Sequence, residues 1–242
     1  QCNTIQAVVH CYGATTFFMS MLAGLTDIRS IVCSQIATDI VIPTATKIKT
    51  GLHFPGFLEK LGVDSLTAYV DDKEGWVSKI YDKALDIYAL AEAQGNCSNP
   101  VCHRITFMYA SLYRHGKLNN LLHHNLHELF AEANIESLKH LAEICRKGVV
   151  VNHHGENSYM PHIDNLNLPI CFISGAENEC YLPESTEITY QMLQQKFGEQ
   201  QYSRQVISGY GHIDCIFGDK AVIDVYPYML AHLEKTAIEI SS

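Results

Sequence analysis

The chain has 242 residues, 47% of them hydrophobic and 18% charged, which is enough for one large domain or two small ones with a substantial core. Its formal net charge of -9 argues against a nucleic-acid surface, since phosphates need a basic patch. No apolar run reaches the roughly 18 residues that span a bilayer, and the nine cysteines, an odd number scattered through apolar segments, read as reduced thiols of a cytoplasmic protein.

Ile5–His10 reads as a buried strand of parallel type, a short β-rich apolar run that ends in a turn. The turn, His10-Cys11-Tyr12-Gly13-Ala14, passes at once into an apolar segment that suits a helix from Gly13 to Leu25. Strand, sharp turn and helix form the layout of a nucleophile elbow, with Cys11 at the nucleophile position. Such a turn is strained and crowds the following helix, so it needs small neighbours. Gly13 and Ala14 meet that need on one side, whereas Val9 stands where the G-x-S-x-G pattern has its first glycine.

Arg29–Cys33 reads as a second short strand. The stretch from Gln35 to Asn167 is mostly helical in character. Trp76–Glu92, His103–Arg114, Leu118–Ala133 and Ile135–Arg146 each show apolar residues at helical spacing, punctuated by Pro55-Gly56, Gly95-Asn96 and Asn99-Pro100. The alternation then returns: strand Leu168–Ser174, helix Glu184–Phe197, strand Ser203–Ser208, helix Lys220–Lys235. Strands alternating with helices imply βαβ crossovers and a parallel sheet, hence an α/β fold. The expected organisation is a core built from residues 1–34 and 168–242, with residues 35–167 inserted as a large helical cap.

Two further segments carry chemistry. Gly209-Tyr210-Gly211-His212-Ile213-Asp214 follows a strand and precedes a helix, about 200 residues after Cys11. A glycine-flanked His in a late loop is where folds with a nucleophile elbow, the α/β-hydrolases, place the general base. Ser174-Gly175-Ala176-Glu177-Asn178-Glu179 closes the strand before it. The acid of an α/β-hydrolase commonly lies three residues past the glycine, a position held here by Asn178. Two readings stand: Asn178 orients the imidazole in a Cys-His-Asn set, or a slipped loop presents Glu177 or Glu179 instead. A thiol tolerates a neutral third partner better than a hydroxyl does. Its pKa near 8.5 falls well below 7 beside a His and a helix N-terminus, so the ion pair forms before substrate arrives. Nucleophile, acid position and His occur in α/β-hydrolase chain order.

The stretches VVHCYGATTFFMSMLAGL, CSNPVCHRITFMYASLYRHGKLN, SGAENECYLPEST and GYGHIDCIFG resemble the α/β-hydrolase domain found C-terminal to cholesterol-oxidase-like flavoproteins of the glucose-methanol-choline oxidoreductase family. The likeness runs over nearly all of the chain, cap included. A more distant likeness is to polyhydroxyalkanoate synthases, which also place a Cys at the elbow but pair it with Asp, where this chain has Asn178. The resemblance implies an upstream flavin oxidoreductase domain that would hold FAD. No cofactor is expected in this chain, since no G-x-G-x-x-G opens a helix after a strand. It also implies that the strands and loop ahead of the elbow lie upstream of residue 1, including one oxyanion-hole N–H; the other is the Tyr12 N–H. The function implied is a hydrolase or acyltransferase acting on a hydrophobic ester or thioester, with Cys11 as nucleophile and His212 as general base and acid. The alternative is a non-catalytic module that docks the flavoprotein or delivers its substrate.

Lesser signals are set aside. Cys97-x4-Cys102-His103 is half of a zinc pattern, with no second Cys/His pair at suitable spacing, so no metal site is expected. His123 and His127 share a helix face, but no H-E-x-x-H motif joins them. His153-His154 lies in a polar loop, and Asp214 either fixes the His212 loop or caps the following turn.

Overall fold

The computed structural model describes residues 4–44, 65–67, 97, 99–130 and 132–237. Strand β1 (Ile5–His10) leads without a gap into helix α1 (Cys11–Leu22), and β2 (Ile28–Ser34) follows. Between β2 and the next strand of the main sheet come β3 (Ser65–Thr67), α2 (Pro100–Met108), α3 (Asn120–His124), α4 (Leu126–Leu129), β4 (Glu132–Asn134) and α5 (Ile135–Lys147). The chain ends through β5 (Ile170–Gly175), α6 (Glu184–Phe197), β6 (Tyr202–Ile207), α7 (Asp214–Phe217), α8 (Ala221–Asp224) and α9 (Tyr226–Lys235). The expected helix Trp76–Glu92 lies outside the described residues.

The main sheet has the order β1-β2-β5-β6, and every pairing in it is parallel. Alternation along its strands splits the core in two. Ile31, Cys33, Ile170 and Phe172 face α1, where Phe18 lies against Phe172 at 6.5 Å between ring centres. Val32, Cys171 and Ile173 face the other way, onto Val225 and Met229. Helices therefore cover both faces, the three-layer α/β arrangement. Burying each such ring or aliphatic side chain contributes about 1.5–3 kcal/mol.

Local signals set the helix ends. Asn134 caps α5 by accepting from Glu136 N–H at 2.8 Å, Arg146 and Lys147 occupy its last turn, and Gly148 ends it at φ 71°. Asn99 caps α2 in the same way, and Pro100 sits at its first position, where no N–H is needed. The sequence reading extended this helix to Arg114, but it stops at Met108. The expected helix Leu118–Ala133 is two short helices broken at Asn125, followed by β4, which pairs antiparallel with β3. The expected final helix is likewise broken, at Val225 just before Pro227.

Two features of the core position the site. β1 is an edge strand among the described residues, with Ile5 and Val8 more than half exposed. It is tied down from the far end of the chain: Gln6 Nε2 donates to Leu233 O and Thr236 Oγ1, each at 2.8 Å. At the other side of the sheet, Gly175 ends β5 where the loop carrying His212 passes over it. A Cβ at Gly175 would lie 2.0 Å from Gly211 O and 2.3 Å from Tyr210 O. Only glycine permits that approach.

Candidate active site

Cys11 sits at the junction of β1 and α1 with φ 56°, one of three non-glycine residues with positive φ among the described residues. A left-handed conformation costs a Cβ-bearing residue about 1–2 kcal/mol. Here it turns a strand into a helix within one residue, which is the geometry of a nucleophile elbow. The Cys11 side chain is partly exposed. Its surroundings push the thiol up to about 11 by desolvation, and a hydrogen bond from the Tyr12 N–H opposes this in part, so the expected lowering of the thiol and its preformed ion pair are corrected. The Tyr12 side chain points away, its hydroxyl 3.4 Å from His140 Nδ1.

His212 is fully buried in the loop between β6 and α7. Its backbone N–H donates to Leu112 O at 3.2 Å, as does that of Ile213 at 2.8 Å, so the loop hangs from the 110–118 segment. Asp214 Oδ2 accepts from the Gly211 N–H at 2.9 Å and the Arg114 N–H at 3.4 Å, which fixes the loop's turn. Of the two roles open to Asp214, the loop-fixing one is what the structure shows. The imidazole is held neutral: desolvation, then the neighbouring His10, drive its pKa well below the ordinary value.

Asn178, 2% exposed, lies beside His212, with Nδ2 at 3.1 Å from Nδ1. Glu177 and Glu179 do not. They turn outward to Arg114, at 3.1 and 3.5 Å, with side chains 44% and 55% exposed. The slipped-loop alternative is thus corrected: the one loop residue directed inward is the amide. Its polarity is fixed by its neighbours. Asn178 Oδ1 accepts from the backbone N–H groups of Cys180 and Tyr181 at 2.9 and 3.0 Å. Nδ2 must therefore face outward, where it donates to Gln35 Oε1 at 2.9 Å. Gln35 Oε1 is itself held by the Gly175 N–H at 3.1 Å. The amide so presents a donor to His212 Nδ1, and a neutral imidazole accepting at Nδ1 carries its proton on Nε2. A papain-like Asn would accept from the imidazole instead; here the direction is reversed.

Two residues missed from the sequence complete the site. His10, the residue before Cys11, lies 4.9 Å from His212 ring to ring, and its Nδ1 is 3.0 Å from Ser34 Oγ. Burial lowers its pKa to about 4. Gln35, at φ 83° past the end of β2, sets the amide polarity just described. His212 Nε2 and His10 Nε2 are both buried without a hydrogen-bond partner among the described residues, so Cys11 and His212 are not hydrogen-bonded to each other. The only sequence signal for either residue was position, next to the elbow and at the C-terminal end of a core strand, where α/β sheets gather their sites.

Near Cys97 and Cys102 the structure places a pair of histidines that the sequence spacing did not offer. His115 and His123 supply the second pair that the spacing of Cys97 and Cys102 lacked, and the four potential ligand atoms lie within 4.8 Å of one another. His103 is turned aside, its Nε2 bonding Cys97 O at 2.6 Å.

This sheet, with a strained residue at a strand–helix elbow and a buried His in the loop after the last strand, is an α/β-hydrolase fold. Solved structures bear this out. A carboxylesterase from Nitrososphaera gargenis is similar to this chain with a TM-score of 0.51 and 10% identity over 98% of the chain and 68% of its own length. A lipase in its open form is similar with a TM-score of 0.52 and 12% identity, over 96% of the chain and 64% of its own. No protein-family model and no curated protein matches the sequence. No helix among the described residues is long and apolar enough to cross a membrane.

Proposed function

We propose that the protein acts on a hydrophobic ester or thioester as a hydrolase or acyltransferase, with Cys11 as the nucleophile. The observation that carries this reading is the positive φ of Cys11. Strain at one non-glycine residue, at the one turn where α/β-hydrolases place their nucleophile, is the kind of feature a fold retains for chemistry. In this reading Cys11 Sγ attacks the carbonyl carbon, the Tyr12 N–H donates to the oxyanion, and His212 moves the thiol proton to the leaving group. The fold's relatives among esterases and lipases support an ester-type substrate, and the upstream flavin domain belongs to the same proposal.

One observation favours a second reading, the non-catalytic docking or delivery module. With its proton on Nε2, neutral His212 has no lone pair to offer the thiol. Becoming a base requires the Asn178 amide to turn over and abandon the Cys180 and Tyr181 N–H groups. Each buried donor so orphaned costs about 1–3 kcal/mol. Chromogenic esters and thioesters of several acyl lengths, offered to the full-length protein, separate the two. Turnover abolished by Cys11→Ala supports the nucleophile. Absence of turnover at every chain length, with Cys11 alkylated by iodoacetamide no faster than Cys33 or Cys171, sinks it and leaves the module.

A further inference from the structure

The Cys97, Cys102, His115 and His123 side chains come from four different places: the residue group ahead of α2, α2 itself, the single helical turn His115–Lys117, and α3. Cys97 Sγ lies 3.5 Å from His123 Nε2, and Cys102 Sγ lies 3.2 Å from His115 Nε2. With Zn–S near 2.3 Å and Zn–N near 2.0–2.1 Å, the edges of a tetrahedral S2N2 site measure roughly 3.3–3.8 Å. The two measured S···N edges are close to that already. The remaining pairs, all within 4.8 Å, need close by no more than about 1.5 Å to complete it.

We propose that these four residues form a Cys2His2 zinc site that fastens the 110–118 segment over the His212 loop. The donor set selects the metal: two thiolates and two imidazoles in a tetrahedral array suit zinc, and the absence of carboxylates disfavours magnesium or calcium. Binding displaces two thiol protons to solvent and changes no oxidation state. Donors are already aimed at the sulfurs, as thiolate ligands require. Tyr113 Oη–H donates to Cys102 Sγ at 2.9 Å, and the Asn99 N–H donates to Cys97 Sγ at 3.5 Å. Asn99 Nδ2 also donates to His123 O at 3.0 Å, joining the first and last ligands through the α2 cap. The spacing, C-x4-C-x12-H-x7-H, departs from the zinc-finger pattern in the last interval, because His115 and His123 sit on separate helical turns.

The position of the site gives it work. Leu112 O holds the backbone of His212 and Ile213, the Arg114 N–H holds Asp214, and Lys117 O accepts from Asp219 N–H at 2.8 Å. His115 lies in the middle of this strap. Zinc would pin the strap to α2 and α3 and, through it, the loop that carries His212. This role stands whether or not Cys11 turns over a substrate.

The test is metal content of the full chain purified without chelator. The expected result is one zinc per chain. Cobalt loaded into chelator-treated protein should show tetrahedral d–d bands with thiolate-to-cobalt charge transfer. His123→Gln, a substitution at a partly exposed position that spares the core, should lose stoichiometric metal, as should Cys102→Ser, while His127→Gln keeps it. Tyr113→Phe should weaken zinc by about 10-fold or more. Protection of the Leu112–Leu118 and Gly211–Asp214 amides from hydrogen exchange should fall together on zinc removal and return with zinc but not magnesium. Substoichiometric zinc with no cobalt spectrum, a Cys97–Cys102 disulfide in the freshly purified protein, or full metal retention in His123→Gln would overturn the site.

Discussion

Asn178→Asp tests the polarity of the His212 contact directly. A carboxylate only accepts, so the oxygen replacing Nδ2 would draw a proton onto His212 Nδ1 and leave Nε2 free as a base. The oxygen that accepts from Cys180 and Tyr181 keeps both bonds. The contact with Gln35 Oε1 turns repulsive, so the Gln35 amide must reverse and release the Gly175 N–H. That orphaned donor costs about 1–3 kcal/mol of stability, against about 1.5–3 kcal/mol for the new charge-assisted bond. Burying the new carboxylate adds a desolvation cost of several kcal/mol, so the variant should be less stable than the wild type at neutral pH. An imidazole held in the wrong tautomer has cost a serine protease about 10⁴ in kcat. If Cys11 is a nucleophile, Asn178→Asp should raise ester or thioester turnover in the full-length protein by about 10²–10⁴. Nitrogen-15 NMR of the histidine rings should move the His212 proton from Nε2 to Nδ1. A wild-type spectrum with the proton already on Nδ1 would refute the polarity argument. A variant with the shifted tautomer and unchanged turnover would refute the claim that the tautomer limits catalysis.

The other predictions concern the frame around the site. Gly175→Ala forces a Cβ to 2.0 Å from Gly211 O and should destabilise by about 3 kcal/mol or more, read as a fall in the chemical-denaturation midpoint. Cys11→Gly should be more stable than Cys11→Ala by about 1 kcal/mol in the same assay, because glycine adopts φ 56° without penalty. Glu177→Gln and Glu179→Gln, whose carboxylates pair with an exposed Arg114, should each change stability by under about 1 kcal/mol and leave any turnover intact. His10 and His212 both have depressed pKa values in the folded state, so the unfolded chain binds more protons at acid pH. Stability should be full above pH 6.5 and fall from there towards pH 4, where His10 protonates in the fold, by at most about 1.4 kcal/mol per pH unit for each ring. His10→Gln should flatten that slope in pH-dependent denaturation.

Much of the core was legible in the sequence because buried parallel strands write themselves as short β-rich runs. β1 and α6 fall where the residues place them, and β2, β5 and β6 differ by one or two positions at their ends. The order of Cys11, Asn178 and His212 was legible for the same reason, each lying at the end of a strand. The direction of the Asn178 amide was not, since it depends on two backbone N–H groups and on Gln35, 143 positions away. Which of Glu177, Asn178 and Glu179 points inward was likewise hidden, because successive loop residues carry no period. The cysteine–histidine cluster escaped notice because its two histidines stand on different turns, and a helical spacing rule paired His123 with His127 instead.

The bonds from Gln6 to Leu233 and Thr236 span 227 and 230 positions of chain. The strand that aims Cys11 is therefore fastened by residues synthesised long after it. Its pairing with β2 can form early, but the side-chain clasp of Gln6 cannot close until α9 has left the ribosome and docked. A ribosome paused within α9 would hold a main sheet whose strands are all made and whose elbow strand still lacks its contacts with Leu233 and Thr236. The turn that carries Cys11 is thus made about 220 positions before the contacts that secure its strand.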